Sequence, residues 1–170
     1  MTKVLIVSDS HGSAAVLQEL KERHGTSTDL FIHCGDSELQ PTDEAIVGFV
    51  AVKGNCDYKG SFPEDLVQEA GGRRILITHG HLYSVKTSLN SLSYRAAEVE
   101  ADIVCFGHSH ILGAEQINGK LFINPGSILL PRSRREKTYV ILTLEKDSAI
   151  LDVFDFDNGE LPELRQIFPF

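Results

Sequence analysis

The chain has 170 residues, of which 42% are hydrophobic and 24% are charged, as is ordinary for a globular protein with a buried core. The longest uncharged apolar run, AIVGFVAV at 45–52, is too short to cross a bilayer, so we expect no membrane partner. The formal net charge of −8 argues against a nucleic-acid polymer as partner, because such binding depends on neutralising phosphates. A small anionic substrate at a locally positive site remains compatible with this charge.

The N-terminus and the cysteines predict the compartment. The segment MTKVLIVSD enters a strand at once and shows neither the basic nor the hydrophobic region of a secretory signal. Cys34, Cys56 and Cys105 form no CxxC pair and leave an odd count, which is typical of a reducing compartment. We therefore expect a cytoplasmic protein with one domain over residues 1–170, for which a homo-oligomer stays open.

Apolar periodicity predicts alternating strands and helices in the first two thirds of the chain. Ser13 is a plausible N-cap for the first helix. The predicted elements are strands over 3–7, 29–33 and within 46–53, a helix over 13–23, a hairpin over 65–78 around Gly71-Gly72, a helix over 86–99 and a strand over 102–106.

The remainder of the chain is rich in predicted strands. Four segments separated by short turns favour a meander: GAEQI, KLFIN, KTYVILTLE and SAILDVFDF. A β-α-β first half followed by such a region indicates two sheets packed face to face, with helices on their outer faces. The fold class expected is α/β (α+β) in four layers. The last segment, LPELRQIFPF, is predicted to dock on its own domain, with a dimer contact as the alternative.

Polar residues that can bind metals follow five of the predicted strands. Their segments are SDSH at 8–11, CGD at 34–36, GNCD at 54–57, HGH at 79–81 and GHSH at 107–110. In open α/β sheets, ligands bind at the carboxyl ends of the strands. The five segments are therefore predicted to converge in one cleft.

The donor types in these segments favour particular metals. They comprise two carboxylates, one amide and four imidazoles, from Asp9, Asp36, Asn55, His11, His79, His108 and His110. This set exceeds the needs of one cation and suits two divalent transition-metal ions, Mn²⁺ first, with Zn²⁺, Fe²⁺ or Ni²⁺ as alternatives. Mg²⁺ and Ca²⁺ would take oxygen ligands almost throughout. Residues two apart on an extended segment point to the same side, which suits the Asp-x-His and His-x-His spacings.

In their order along the chain, D-x-H, G-D, G-N-x-D, H and G-H-x-H resemble the motifs of the calcineurin-like metallophosphoesterase superfamily. The GNCD variant and the short chain look most like its small bacterial YfcE-like phosphodiesterases. The resemblance implies an αββα sandwich with a two-metal centre. Carried over by position, the first metal would be held by Asp9, His11 and His110, both metals by Asp36, and the second by Asn55, His79 and His108.

One position departs from the common pattern of that superfamily. Cys56 stands where a histidine usually follows the asparagine, and the resemblance places that histidine at the phosphoryl group or the leaving oxygen. A thiol of ordinary pKa, near 8.5, is a poor proton donor to an alkoxide. Asn55 is the main catalytic candidate, because its amide can stabilise charge on the phosphoryl oxygens. Asp57 is predicted to orient Asn55 or Cys56, and His81 to touch the phosphate or support a metal histidine.

The function that the resemblance implies is hydrolysis of a small phosphate ester, with a diester favoured, by a hydroxide that bridges the two metals. Three alternatives stay open. A phosphomonoesterase would use the same centre, a nuclease would need a positive groove that the charge of −8 does not promise, and a protein-interaction scaffold would resemble the phosphoesterase-like subunit of the retromer coat. A scaffold is expected to have lost metal donors, and all seven positions here carry competent ones.

Two further segments bear on the predicted site. Asn124-Pro125-Gly126-Ser127 resembles a turn beside the active site of the superfamily, with a plain β-turn as the equal alternative. The segment PRSRREK at 131–137 carries four basic residues. A solvated loop is the favoured interpretation, and attraction of an anionic substrate is the other.

Overall fold

The computed structural model describes residues 1–170. Its helices are α1 (Ala14–His24) and α2 (Asn90–Glu98), and neither has the length and apolar character needed to cross a membrane. The strands are β1 (Thr2–Val7), β2 (Leu30–His33), β3 (Phe49–Ala51), β4 (Asp65–Ala70), β5 (Arg73–Thr78), β6 (Ile103–Cys105), β7 (Gly113–Ile117), β8 (Lys120–Asn124), β9 (Thr138–Leu144), β10 (Ser148–Asp155), β11 (Gly159–Glu160) and β12 (Gln166–Pro169).

The strands form two sheets. The seven-stranded sheet has the order β11-β10-β9-β1-β2-β3, with β12 pairing along β10, and the five-stranded sheet has the order β4-β5-β6-β8-β7. Strands β1, β2 and β3 are mutually parallel in the first sheet, and β5, β6 and β8 in the second. Each parallel set therefore delivers its carboxyl ends to one edge of its sheet.

The continuous apolar run of β1 reflects burial on both faces of the sheet. Val4 and Ile6 lie in the cluster between the two sheets, whereas Leu5 and Val7 pack on the opposite face beneath α1. Strands buried on both faces lose the polar alternation of half-exposed strands. Burying each such side chain contributes about 1.5–3 kcal/mol.

The five-stranded sheet repeats this arrangement. Ile75 and Ile77 face the other sheet, whereas Leu76 packs with Leu92 of α2 on the outer face. The layers are therefore α1, the seven-stranded sheet, the five-stranded sheet and α2. The predicted four-layer αββα sandwich is confirmed.

Three details of the second half and the helices differ from the predictions. The four strand segments after residue 112 do not form one meander: β7 and β8 pair in the five-stranded sheet, and β9 and β10 pair in the other. The intervening residues 125–137 carry the chain from one sheet to the other, which local sequence patterns do not encode. Helix α2 begins at Asn90, later than predicted, and Ser13 precedes α1 without a side-chain capping bond.

The C-terminal segment docks as predicted. Strand β12 pairs antiparallel with β10, and Phe168 and Phe170 pack against the cluster between the sheets.

Candidate metal centre

The loops that follow β1, β2, β5 and β6 meet at one end of the sandwich. Main-chain hydrogen bonds join neighbouring loops: the N–H of Asp9 donates to the carbonyl of Gly35 (3.0 Å), and the N–H of Gly107 donates to that of His79 (3.0 Å). Asp9 and Asp36 thus come from the seven-stranded sheet, and His79 and the GHSH segment come from the five-stranded sheet. The predicted convergence of these strand ends occurs.

These loops hold several non-glycine residues in the left-handed backbone region. The φ angles are 55° at Asp9, 41° at His11, 57° at Asp36, 72° at His108 and 60° at His110. Residues other than glycine rarely adopt such φ angles. Clusters of such residues occur at functional sites, where the surrounding structure maintains the strained backbone. The strain coincides with five of the seven predicted metal ligands.

One donor group consists of Asp9, His11 and His110. Asp9 Oδ1 lies 3.2 Å from His110 Nε2 and 3.7 Å from His11 Nε2, and the two Nε2 atoms are 3.3 Å apart. Donor atoms of all three residues lie within 4.8 Å of one another, so they could hold one metal ion. The side chains of Asp9 and His110 are buried, and that of His11 is half-buried.

A second donor group consists of Asp9, Asp36 and His79. His79 Nε2 lies 3.2 Å from Asp36 Oδ2 and 3.8 Å from Asp9 Oδ1. Asp9 Oδ1 and His79 Nε2 are both buried, and neither has a hydrogen-bond partner. Buried polar atoms without partners are rare in proteins, and cations bound within this cluster would satisfy both. The donor set therefore fits the divalent metal that the motifs predict.

A third donor group includes Cys56, together with His11 and Asp36. The backbone N–H of Cys56 donates to Asp36 Oδ1 (2.9 Å), which holds the exposed thiol beside the other donors. Burial and the negative charge of Asp36 raise the pKa of this thiol to about 11. Cys56 was not among the predicted ligands, because its place in the motif is usually a histidine.

The imidazoles in these groups are oriented through their other ring nitrogen. Each Nδ1 has an acceptor outside the donor groups: Glu38 Oε1 for His11 (2.7 Å), the Cys34 carbonyl for His79 (2.8 Å) and the Leu130 carbonyl for His110 (2.7 Å). Such bonds leave Nε2 as the nitrogen that can bind a cation. The role of Glu38 as the partner of His11 was not predicted from the sequence. The available signal was its position two residues after Asp36.

Asp57 supports the centre through the backbone. Its carboxylate accepts hydrogen bonds from the N–H groups of Asp36 (2.8 Å), Glu38 (2.7 Å) and Gly54 (2.7 Å). It thereby ties the loop after β2 to the loop after β3. Asp57 was predicted to orient Asn55 or Cys56. Its carboxylate instead accepts from these three backbone amides, because buried N–H groups in the loops need an acceptor.

The structure places the remaining predicted residues at the margin of the centre. Asn55 is exposed, and its side-chain nitrogen lies 3.6 Å from Cys56 Sγ. The ring of His108 lies 5.1 Å from that of His79 and 6.1 Å from that of His81, measured between centroids. None of these three margin residues, Asn55, His81 and His108, belongs to the donor groups above.

The carboxylates and imidazoles shift one another's protonation. Burial raises the pKa of Asp9, but His11 and His110 outweigh it and hold the pKa well below its usual range. The nearby Asp9 carboxylate raises the pKa of His11 to about 9. Burial lowers the pKa of His79, yet Asp36 and Asp9 bring the net value above normal. Without a cation, the imidazole of His11, with its pKa of about 9, is protonated near pH 7, and binding of a divalent ion there would release the proton.

His108 behaves differently from the other imidazoles. Burial, together with the positive charges of His79 and Lys86, lowers its pKa to about 4. The ring is therefore neutral near pH 7, which is the form that can bind a metal.

The Asn124–Ser127 turn lies against the centre. Asn124 Nδ2 donates to the Gly107 carbonyl (3.1 Å), and Ser127 Oγ donates to the Asp9 carbonyl (2.8 Å). Both side chains are buried. The turn thus supports the loops that carry Asp9 and the GHSH segment. It is more than a plain β-turn, because its side chains bond to both of these loops.

Comparisons with known proteins agree with this geometry. The profile of the calcineurin-like phosphoesterase superfamily domain matches residues 2–147. The chain is 52% identical over 162 residues to the probable metallophosphoesterase YsnB of Bacillus subtilis, covering 95% of this chain and 96% of that protein. It is 27% identical over 190 aligned residues to the phosphodiesterase YfcE of Escherichia coli, covering 95% and 96%.

A solved structure matches equally completely. The crystal structure of a predicted phosphoesterase from Streptococcus pneumoniae superposes with a TM-score of 0.94 at 36% identity, covering 99% of this chain and 98% of that one. The fold is that of a metallophosphoesterase, and the clustered Asp and His side chains could hold a metal ion. This chain belongs to the calcineurin-like phosphoesterase superfamily, and its relatives support the YfcE-like branch.

Proposed function

We propose that the protein is a phosphodiesterase that hydrolyses small phosphate esters with two divalent cations, Mn²⁺ first among them. The observation that carries this proposal is the pair of buried, unpartnered atoms Asp9 Oδ1 and His79 Nε2, which lie 3.8 Å apart. Two such cations, when bound, supply an activated water and neutralise the charge on the phosphoryl oxygens. The name of the relative YfcE supports the diester as substrate class.

The proposed ligands divide as the motifs suggest. Asp9, His11 and His110 hold the first ion, Asp36 is shared, and His79, with Asn55 and His108, completes the second. Asp36 supports this division by its position, since it lies in one donor group with His79 and in another with His11. Asp57 acts as a positioning residue, because its carboxylate holds the backbone amides around Asp36.

Two residues are proposed to act on the substrate. The exposed amide of Asn55 stabilises charge on the phosphoryl oxygens. His81 donates a hydrogen bond to the phosphate, since its Nδ1 is buried without a partner. Burial and the charge of His79 lower the pKa of His81, so a neutral ring is available for this contact.

The chain offers no good proton donor to the leaving group. The pKa of Cys56, raised to about 11, makes its thiol a weaker acid than an ordinary cysteine. The leaving oxygen must therefore depart largely without protonation, which favours esters of acidic alcohols such as phenols.

The test is metal analysis of the purified protein, followed by assays on p-nitrophenyl phosphate and bis(p-nitrophenyl) phosphate with Mn²⁺ and with a chelator. We expect about two equivalents of metal, metal-dependent turnover and a higher kcat/KM for the diester. Faster turnover of the monoester would instead identify a phosphomonoesterase, which the same donor set can serve. Activity that persists in chelator would contradict the metal mechanism.

A further inference from the structure

A large apolar cavity adjoins the candidate centre on the outer face of the five-stranded sheet. Its volume is about 660 Å³, within the range of small-molecule sites. Its walls include Val85 and Leu89 before α2, and Phe106 and Phe122 from the sheet. This cavity is separate from the donor groups, and none of the functions proposed above uses it.

The cavity and the centre share one loop as a common wall. Ser109, which lines the cavity, lies between His108 and His110 in the sequence. Asn124 lines the cavity too, and its amide donates to Ser109 Oγ (2.9 Å). The backbone N–H of Arg132, a third lining residue, donates to the His110 carbonyl (3.0 Å). The cavity therefore lies directly beside the loop that carries His108 and His110.

Two cationic side chains line this otherwise apolar space. Lys86 and Arg132 both belong to its walls, and Glu115 is the one acid among them. Neither cation takes part in an ion pair, whereas Arg134, two residues further along, pairs with Glu136 (3.4 Å). In a chain of net charge −8, two unpaired cations beside an apolar wall suit a ligand that is both aromatic and anionic.

We propose that the cavity binds an aromatic substituent of the phosphodiester, with Lys86 and Arg132 attracting its anionic charge. The assignment of the ligand as a substrate rests on the proposed function. The selectivity for an aromatic ring rests on the cavity alone. The segment PRSRREK would then contribute one residue, Arg132, to anion binding, and the other basic residues of the segment would remain solvated.

Gly113 provides a way to fill the cavity. It lines the cavity at the start of β7, and a Cβ atom added there would meet no atom within 4 Å. Its φ lies outside the left-handed region, so a larger residue causes no backbone strain. Gly113→Phe should occupy the space, and Gly113→Ala should leave most of it free.

The test is equilibrium binding of diphenylphosphinate and dimethylphosphinate to the full-length, Mn²⁺-loaded protein, measured by calorimetry. The two anions carry the same charge, have no ester bond to hydrolyse and differ in their aromatic rings. We expect diphenylphosphinate to bind roughly ten-fold or more tightly than dimethylphosphinate, because a buried ring removes apolar surface from water. Gly113→Phe should abolish this preference without changing the affinity for dimethylphosphinate, and Gly113→Ala should retain it.

A double variant tests the cations without filling the space. Lys86→Gln with Arg132→Gln should weaken the binding of diphenylphosphinate several-fold, while Arg135→Gln, an exposed neighbour outside the cavity, should not. Equal affinity for the two phosphinates, or a preference that survives Gly113→Phe, overturns the proposal. Because neither phosphinate can be hydrolysed, a protein that binds diphenylphosphinate selectively but hydrolyses no diester would refute the proposed function alone.

Discussion

His79 Nε2 lies 3.2 Å from Asp36 Oδ2, although the two residues follow strands of different sheets. His79 comes after β5 in the five-stranded sheet, and Asp36 follows β2 in the seven-stranded one. Both side chains are buried at the end of the interface between the sheets. Face-to-face packing of the sheets is therefore what creates the second donor group.

Removing either member of the pair should empty the centre. We expect His79→Ala and Asp36→Ala each to lower the affinity for Mn²⁺ by about a hundred-fold or more and to abolish turnover. The measurements are metal titration and circular dichroism, which should show the same secondary structure as the wild type. His24→Gln is the control, because His24 bonds to Tyr139 and belongs to none of the donor groups. Normal metal affinity in both alanine variants would refute the proposed ligand set.

The absence of a strong general acid should appear in the leaving-group dependence. We expect kcat/KM for phenyl esters to be roughly a hundred-fold or more below that for p-nitrophenyl esters. Phenol is the weaker acid and leaves slowly without a proton, and the general acid that would supply this proton, typically worth about that factor, is missing. A series of aryl diesters of graded phenol pKa measures this slope. Cys56→Ala should leave the slope unchanged, because the thiol, with its pKa raised to about 11, is not the donor. A flat series would show that another residue protonates the leaving oxygen.

Gly54 should tolerate no side chain. A Cβ atom there would overlap Asp36 Oδ1 and crowd the backbone nitrogen of Asp36. We expect Gly54→Ala to displace the carboxylate, to lower metal affinity about ten-fold or more, and to destabilise the fold by about 1–3 kcal/mol. Metal titration and thermal unfolding measure the two effects. Gly113→Ala is the matched control, since its added methyl group meets open space.

His33 should make stability depend on pH. The ring is fully buried, its Nδ1 accepts the N–H of Gly35 (3.1 Å), and burial lowers its pKa to about 4. Because the pKa in the unfolded chain is about 6.5, the unfolded state binds more protons between these values, and stability falls as the pH drops from about 6.5 to about 4. Above about pH 6.5 the His33 ring is neutral in both the folded and the unfolded state, so protonation of this ring no longer lowers the stability.

The measurement is the free energy of unfolding in urea at pH 7.5 and pH 5, with chelator present. The wild type should lose about 2 kcal/mol more than His33→Gln across this interval, since only the wild type has an imidazole to protonate at this position. His24→Gln should depart from the wild type less than His33→Gln does, because His24 is half-buried and burial lowers its pKa less than that of the fully buried His33. Equal losses in wild type and His33→Gln would show that His33 does not carry the effect.

The sequence alone determined the layered fold and the chemistry of the centre. Apolar runs such as that of β1 are long because both faces of the sheets are buried, and parallel strands bring their carboxyl ends to one edge. The donors Asp9, His11, Asp36, His79 and His110 could be located for this reason, as each follows such a strand. Ten of the twelve strands and the docking of the C-terminal segment were also accessible from local patterns, whereas the short strands β11 and β12 were not predicted.

Only the tertiary structure decided which donors meet and what surrounds them. His11 and His110 lie 99 positions apart in the chain, yet their Nε2 atoms come within 3.3 Å. The bond from His11 to Glu38, the place of Cys56 among the donors and the cavity beside Ser109 arise in the same way. The physical reason is that these contacts depend on how the two sheets pack and on left-handed turns at the strand ends, which no local periodicity encodes.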